Sequence, residues 1–320
     1  MPALAALAGL ISLALTGCFR GDFLELSCDR QGLCGGTDTD SGSGTGGGSV
    51  TTTMMTSDSG TSGTSGSSTS SGSTGGIPSS LDAFRLSKIV LVDPHVYLDT
   101  RGCDDRTDLL NYTIAEEFKE GGMVNLMLLF DPADPGIKSS SAAFTDAECS
   151  FGPDGVTCWQ KDAAVLVASS ALNSVDVACD VTREGTMNPL YASMPPNIAP
   201  PPCFKSPTDT VILPSLAEGL PPLVLYDAQI SASYKGSGPV VGLTNGLITG
   251  FIPEKSAREI EGVIGGFPFT LWGAIGGGDG CQADVNNPID DTDLSPNPRD
   301  NERGIQIYLN FEGERVEWLE

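Results

Sequence analysis

The densest set of oxygen-bearing side chains lies between residues 290 and 302, a segment that we call the acidic loop. Four of its residues stand at positions one, three, five and twelve of a twelve-residue stretch, and these are Asp291, Asp293, Ser295 and Glu302. A hard cation such as calcium requires six or more oxygen ligands around one ion, and this spacing is the one that supplies them. The acidic loop therefore predicts a calcium site, with Asp284 and Asp300 as further candidate ligands.

The acidic loop resembles the Asp-x-Asp-x-Asn/Asp-Gly loop of calcium-binding proteins in part. Position six, where those proteins have the glycine of a sharp turn, is Pro296 here. The flanking residues have the patterns of loop and strand instead of helix. A second interpretation is therefore a solvated acidic loop between Cys281 and the last strand.

The sequence lacks the residues that most catalytic mechanisms require. His95 is the only histidine, which excludes zinc hydrolases built on a histidine pair, and it follows Pro94 in a strand pattern typical of a structural or surface residue. The sequence contains neither a Gly-x-Ser-x-Gly nucleophile elbow nor a Cys-x-x-Cys motif. Asp and Glu are abundant, but abundance alone does not indicate a carboxylate-based glycosidase. The sequence therefore favours a protein that is not an enzyme.

Cys18 offers a different chemistry, because its thiol is a nucleophile that can accept a lipid. Residues 3–15 form an apolar run that is too short to span a bilayer and has the length of a secretory h-region. The small residues Thr16 and Gly17 leave the peptide bond before Cys18 open to a peptidase. The tetrapeptide from Leu15 to Cys18 resembles the lipobox of bacterial lipoproteins.

The lipobox resemblance implies that residues 1–17 are a signal peptide and that Cys18 is diacylglycerated, which anchors the protein in the bacterial cell envelope. Phe19 follows the cysteine, which in Gram-negative lipoproteins implies sorting to the outer membrane. The segment before Thr16 contains no Lys or Arg, so either translation starts upstream of Met1 or the signal is weak. An ordinary cleaved signal, with Cys18 free to form a disulfide, is the alternative.

The cysteines that remain after lipidation can all pair, because nine minus Cys18 leaves eight. The predicted pairs are Cys28–Cys34 as a small loop, Cys149–Cys158 as a hairpin staple and Cys103–Cys281 across the body, with Cys179 and Cys203 as the other two. The sequence leaves the connectivity of the six body cysteines open. Complete pairing requires an oxidising compartment, in agreement with export.

Charge limits the classes of partner. The chain has 17 Lys and Arg against 41 Asp and Glu, for a net charge of −24. This surface repels nucleic acid and anionic lipid head groups, whereas cations and neutral surfaces remain as partners. The sequence has no later apolar run long enough to cross a bilayer, so we expect the lipid to be the membrane contact.

Composition divides the chain into regions. Residues 18–34 form the lipidated segment, and residues 35–79 form a Gly/Ser/Thr linker with too little apolar surface to fold. As a flexible chain the linker would reach about 35 Å. Residues 80–320 form the globular body. The proline-rich stretch at 195–207 is either a break between subdomains or a loop pinned on the surface, and Cys203 favours the pinned loop.

Strand patterns dominate the body. Leu110, Ile114 and Phe118 fall four apart and predict a helix that is capped by Thr107 or Asp108. The other predicted elements are strands at 86–98, 123–130, 223–234, 240–252 (broken at Asn245-Gly246 and at Gly250), 267–275, 305–311 and 316–319, a helical stripe from Pro253 to Ile264, and no regular structure at 194–207 except extended polyproline. The fold class is therefore α+β and β-dominated, an antiparallel sheet or sandwich with two short helices and bracing disulfides.

The anchor, the linker and the acidic body together favour a surface lipoprotein with a binding or structural role, an unknown surface or extracellular partner and a calcium-stabilised loop. This organisation loosely resembles that of uncharacterised lipoproteins of myxobacteria, and the resemblance implies no activity. Two alternatives are a carboxylate-based polysaccharide hydrolase and a carrier of apolar ligands. A hydrolase would need a cleft with two facing acids, and a carrier would need a large lipophilic cavity.

Overall fold

The computed structural model describes residues 81–99, 102–119, 121–161, 167–236, 239–280, 289–297 and 301–319. Strands dominate these residues and most strand pairs are antiparallel, which confirms the predicted β-dominated α+β class. The strands are β1 (Asp82–Asp93), β2 (Tyr97–Asp99), β3 (Cys103–Asp105), β4 (Leu126–Asp131), β5 (Ser139–Gly152), β6 (Gly155–Gln160), β7 (Val167–Ser174), β8 (Cys203–Lys205), β9 (Asp209–Leu213), β10 (Leu223–Lys235), β11 (Gly242–Pro253), β12 (Glu261–Ile264), β13 (Phe267–Thr270), β14 (Asp293–Leu294) and β15 (Arg303–Leu319). The helices are α1 (Thr107–Glu117) and α2 (Glu254–Glu259), with 3₁₀ turns at Pro189–Tyr191 and Trp272–Ala274.

Eight of these strands pair in a circuit that returns to its start, in the order β1, β4, β5, β7, β8, β10, β11 and β15. Every pairing in this circuit is antiparallel, and we call the result the closed sheet. The remaining strands extend it, because β6 joins β5 and the end of β15, β9 joins β10, and β14 joins β15. β15 is therefore the strand that completes the circuit.

The alternation of side chains along β15 shows where the core lies. Ile305, Ile307 and Leu309 face the main hydrophobic cluster, to which all eight strands of the closed sheet contribute. The intervening Gln306 and Tyr308 point to the opposite face and are also buried. A second layer of protein must therefore cover the outside of the closed sheet at this strand.

Helix α1 packs on this core as its spacing predicts, since Leu110, Ile114 and Phe118 are all buried. The predicted cap is different, however. Arg106 precedes the helix without capping it through its side chain, and the Thr107 hydroxyl accepts a hydrogen bond from the backbone N–H of Val96. That bond ties the start of the helix to the segment that follows β1.

Two predicted elements divide at residues that cannot continue them. The strand predicted over 86–98 is β1 followed by β2, because Pro94 cannot donate to a strand ladder. The helical stripe predicted from Pro253 to Ile264 is wrong beyond Glu259, because Ile260 is extended and the next four residues form β12. β-branched residues in that stripe favour a strand.

Three further predictions differ in detail. β11 runs through Asn245-Gly246 as a bulge, with Asn245 at a φ of 49°, and continues through Gly250, so both predicted breaks are wrong. The strand predicted over 267–275 ends at Thr270, before a 3₁₀ turn at Trp272. The proline-rich segment 194–207 contains the short strand β8.

Disulfides brace the body. Cys149–Cys158 joins β5 to β6 and confirms the predicted staple, and Cys179–Cys203 closes a loop between β7 and β8. Cys103 is also disulfide-bonded. The predicted Cys103–Cys281 and Cys28–Cys34 pairs involve cysteines that the structure does not describe. The predicted signal peptide, Cys18 and the linker also lie outside the described residues. Within the described ranges, no helix has the length and apolarity to cross a membrane.

The loop between β7 and β8, residues 175–202, lies against the outer face of the closed sheet, and we call it the cover loop. Asn197 donates its backbone N–H to Asn310 Oδ1 at 2.7 Å, and Asn310 Nδ2 donates to the Pro195 carbonyl at 3.1 Å. Tyr234 also donates its backbone N–H to the Pro202 carbonyl at 2.8 Å. These contacts are those of a pinned loop, and they form the layer over the outward side chains of β15.

Candidate functional site

Three carboxylates lie on the covered outer face of the closed sheet. Asp93 ends β1 immediately before Pro94, where the chain leaves the sheet, and is only 3% exposed. Asp291 is 6% exposed and lies just before β14, while Asp293 is the first residue of that strand. Buried carboxylates at this density are expensive unless hydrogen bonds or opposite charges compensate them.

Asn188 of the cover loop connects two of these carboxylates. Its backbone N–H donates to Asp93 Oδ2 at 2.8 Å, and its side-chain Nδ2 donates to Asp291 Oδ1 at 2.6 Å. Its own Oδ1 accepts from the backbone N–H of Leu190 at 3.0 Å, which caps the 3₁₀ turn Pro189–Tyr191. One asparagine thus fixes the turn and both acids together.

Aromatic side chains complete the other side of Asp291. The Tyr191 hydroxyl donates to Asp291 Oδ2 at 2.7 Å and lies 3.2 Å from the hydroxyl of Tyr97. The imidazole of His95 stacks on the Tyr191 ring, with centroids 3.5 Å apart and planes 3° from parallel. His95 Nδ1 is also 2.6 Å from Asp105 Oδ2. Both oxygens of Asp291 are therefore occupied, and the single histidine is held in place from two sides.

The pKa values of the three acids follow from their surroundings. Burial, reinforced by the charges of Asp291 and Asp293, raises the pKa of Asp93 to about 8, although the Asn188 N–H opposes the shift. Burial also raises the pKa of Asp291, and it raises the pKa of Asp293 to about 6. A carboxyl with a pKa of about 8 is mostly protonated at neutral pH.

A cavity of about 280 Å³ opens beside Asp93, between the end of β1 and the cover loop. Its walls are largely apolar and comprise Val92, Met187, Pro189, Met194, Pro195 and Pro196, together with Tyr191 and Ala192. Asp93 and Asn188 supply the polar groups, and Asp93 is the only carboxylate among the lining residues. An apolar cavity with few, fixed polar groups is the usual form of a small-molecule site.

The two carboxylates of the predicted calcium site accept hydrogen bonds from neighbouring protein groups. Asp291 contacts Asn188 and Tyr191 as described above, and Asp293 Oδ2 accepts from the backbone N–H of Gln306 at 3.2 Å. These bonds fix both side chains against the closed sheet.

The other two predicted calcium ligands contact each other through the backbone, since the N–H of Ser295 donates to the Glu302 carbonyl at 2.7 Å. The Ser295 hydroxyl accepts from the N–H of Asn297 at 3.1 Å. In the part of the chain that the structure describes, no three His, Cys, Asp or Glu side chains are placed to hold a metal. Asp284 and Asp300 lie outside that part, and the calcium site stays a prediction.

Sequence reasoning missed Asp93 and Asn188 as site residues. The available signals were weak, namely an acid before a proline at the end of an apolar strand and an asparagine before Pro189 that could cap a turn. Nothing in the sequence brings residues 93, 188 and 291 together, since only the tertiary fold does so.

No protein-family model matches this chain, and comparisons with curated proteins and with solved structures also gave no match. The function must therefore be argued from the geometry.

Proposed function

We propose that this protein is a lipid-anchored lipoprotein of the bacterial cell envelope, sorted to the outer membrane, whose body binds a small ligand in the cavity beside Asp93. The observation that carries the binding role is a buried carboxyl at the wall of an otherwise apolar cavity. The volume of about 280 Å³ lies at the lower limit of about 300–1,000 Å³ for pockets that hold drug-sized ligands, so the ligand is small.

The cost of burying Asp93 supports a role for it beyond folding. A structural acid at such a position usually has a basic partner. Within the described ranges, the hydrogen-bond partner of Asp93 is the neutral N–H of Asn188, and the charges that shift its pKa are those of two further acids. A strongly perturbed acid that lines a cavity is a candidate functional group.

The anchor is supported by the lipobox resemblance at Cys18 and by the linker that would hold the body away from lipid head groups. The disulfides within the body agree with an oxidising compartment outside the cytoplasm. The acidic loop is the proposed calcium site that would stabilise the region next to the ligand cavity.

A second candidate is a carboxylate-based polysaccharide hydrolase, which the raised pKa of Asp93 favours because a general acid must be protonated at neutral pH. Such an enzyme also needs a second carboxylate that faces the substrate. Both oxygens of Asp291 accept hydrogen bonds from Asn188 and Tyr191, and Asp291 does not line the cavity. The binding role is therefore the better supported of the two.

The test of the binding role compares the full-length chain, made unlipidated by Cys18→Ser, with the same chain carrying Met194→Trp. Met194 lines the cavity and is 42% exposed, so tryptophan can fill the space without disturbing the core. Benzyl-sized compounds are screened by ligand-observed NMR. We expect some to bind the parent and lose binding in Met194→Trp. If every compound behaves identically with the two proteins, the cavity is not a binding site.

A further inference from the structure

We propose that the ligand of this cavity is a small organic cation with an apolar body, such as a protonated arylalkyl amine, and that Asp93 is its counter-charge. This inference rests on the proposed function, because it assigns a chemical class to the ligand of the same cavity. The Asp93 carboxyl combined with walls of methionine, proline and valine is the juxtaposition that supports it.

The polar groups of the cavity select for a donor. Asp93 Oδ2 already accepts from the Asn188 N–H, while Oδ1 has no hydrogen-bond donor among the residues that the structure describes. Asn188 uses Nδ2 on Asp291 and Oδ1 on Leu190, so its side chain is occupied. The acceptor that remains for a ligand is a carboxylate oxygen, which prefers a charged N–H donor.

The apolar walls select for the body of the ligand. Met187 and Met194 are flexible, polarisable side chains at the exposed edge of the cavity, and such side chains adapt to aromatic and aliphatic groups. Val92, Ala192 and the prolines offer the ligand no side-chain hydrogen bond, and the hydroxyl of Tyr191, the remaining wall residue, already donates to Asp291. A hydrated inorganic cation would lose its water without replacement here, whereas an organic cation buries its apolar part.

The charges that act directly on Asp93 are both negative and favour a cation. Asp291 and Asp293 act on it from the segment before β15, and its own charge contributes to the raised pKa values of the neutral phenols of Tyr97 and Tyr308. His95 interacts with Asp291 and Asp105.

The guanidinium of Arg183 lowers the pKa of Asp293 but is not among the charges that act on Asp93. Arg183 directs its Nη1 to the Leu294 carbonyl at 2.8 Å and its Nη2 to the Ser295 carbonyl at 3.4 Å. The chain also carries a net charge of −24, which attracts cations and repels anions over a longer range.

Binding of such a cation is coupled to loss of one proton. The free carboxyl is mostly protonated at neutral pH, because burial and the neighbouring acids raise its pKa to about 8. The ligand ammonium keeps its protons and stabilises the carboxylate, so the Asp93 proton is released to solvent. Below pH 8 the affinity for the amine should therefore rise about tenfold per pH unit.

The experiment measures binding of benzylamine and its neutral counterpart benzyl alcohol to the full-length Cys18→Ser chain by calorimetry. Asp93→Asn removes the counter-charge and keeps the shape of the side chain. Asp154→Asn, in the exposed turn between β5 and β6, is the control, because it changes the net charge equally and does not line the cavity. Met194→Trp blocks the cavity for both compounds.

We expect benzylamine to bind at least tenfold more tightly than benzyl alcohol to the parent and to Asp154→Asn at pH 7. The preference should fall to within twofold in Asp93→Asn, and the tenfold loss of amine affinity from pH 7 to pH 6 should disappear in that variant, which keeps His95.

Three outcomes would overturn the inference. Equal binding of both compounds to the parent, abolished by Met194→Trp, would leave the binding role intact and remove the cation. An amine preference that persists in Asp93→Asn would remove Asp93 as the counter-charge, and an amine affinity that is flat between pH 6 and 7 would remove the coupling of binding to proton release. Failure of both compounds to bind would contradict the binding role itself.

Discussion

Replacing Asp93 by asparagine should stabilise the body increasingly as the pH rises from 5 to 8. The carboxyl ends β1 with 3% exposure, and its pKa is raised from 3.8 to about 8. Because the folded protein holds this proton more tightly than the unfolded chain does, the stabilisation is complete below pH 3.8 and is lost as the pH rises through about 8. Asparagine is neutral at every pH and does not incur this loss.

The structure sets the magnitude. Each pKa unit corresponds to about 1.36 kcal/mol, so a rise from 3.8 to about 8 puts a ceiling of roughly 5–6 kcal/mol on the cost of the ionised side chain. We expect the free energy of unfolding of Asp93→Asn, relative to that of the parent, to increase by about 2 kcal/mol or more between pH 5 and pH 8. For a body of this size, the difference in Tm between Asp93→Asn and the parent should grow by about 4–8 °C over the same pH range.

The assay is urea unfolding of the full-length Cys18→Ser chain at pH 5, 6, 7 and 8, with the disulfides intact and tryptophan fluorescence as the signal. Asp291 and Asp293 also have raised pKa values, and the comparison of the two proteins removes most of their contribution because both keep them. The difference in the free energy of unfolding between Asp154→Asn and the parent should be the same at every pH. If this difference is also constant for Asp93→Asn, or if the stability advantage of Asp93→Asn decreases as the pH rises, the argument is refuted.

Labelled palmitate should enter the wild-type chain in cells and be absent from Cys18→Ser, and equal labelling of the two would remove the anchor. Calcium should raise the melting temperature and a chelator should lower it, whereas an unchanged melt would remove calcium from the acidic loop. Non-reducing peptide mapping should recover a fragment that joins Cys103 to Cys281, and any other partner of Cys103 would contradict the pairing. Gly246→Ala should cost about 1–3 kcal/mol, measured as a lower urea midpoint, because its Cβ would lie 2.5 Å from the ring of Phe311.

The elements that local pattern alone determines were predictable. Leu110, Ile114 and Phe118 repeat at the helical period, and the staple between Cys149 and Cys158 spans only one hairpin. The alternation that ends the chain predicted a strand in the same way, although β15 is longer than either of the two segments that we expected. In each case the pattern that predicts the element lies within the element itself, although β15 is stabilised by pairing with the distant strands β1 and β11.

Tertiary context decided the rest. The stripe after Pro253 fits a helix until its β-branched residues pair with Phe267–Thr270. The candidate site depends on contacts between Asp93, Asn188 and Asp291, which are far apart in the chain. No periodic pattern in the sequence indicates contacts between residues so far apart.

The pairing of β1 with β15 has a consequence for the order of events during synthesis. Ala83 lies opposite Val316, so the first strand of the sheet cannot find this neighbour until almost the whole body has emerged. Until then β1 and β11 each expose an edge where β15 will lie, and such edges are prone to pairing with other chains. The nascent body therefore depends on protection from aggregation until its last strand arrives, and a truncation that removes β15 should be degraded or aggregate instead of folding partially.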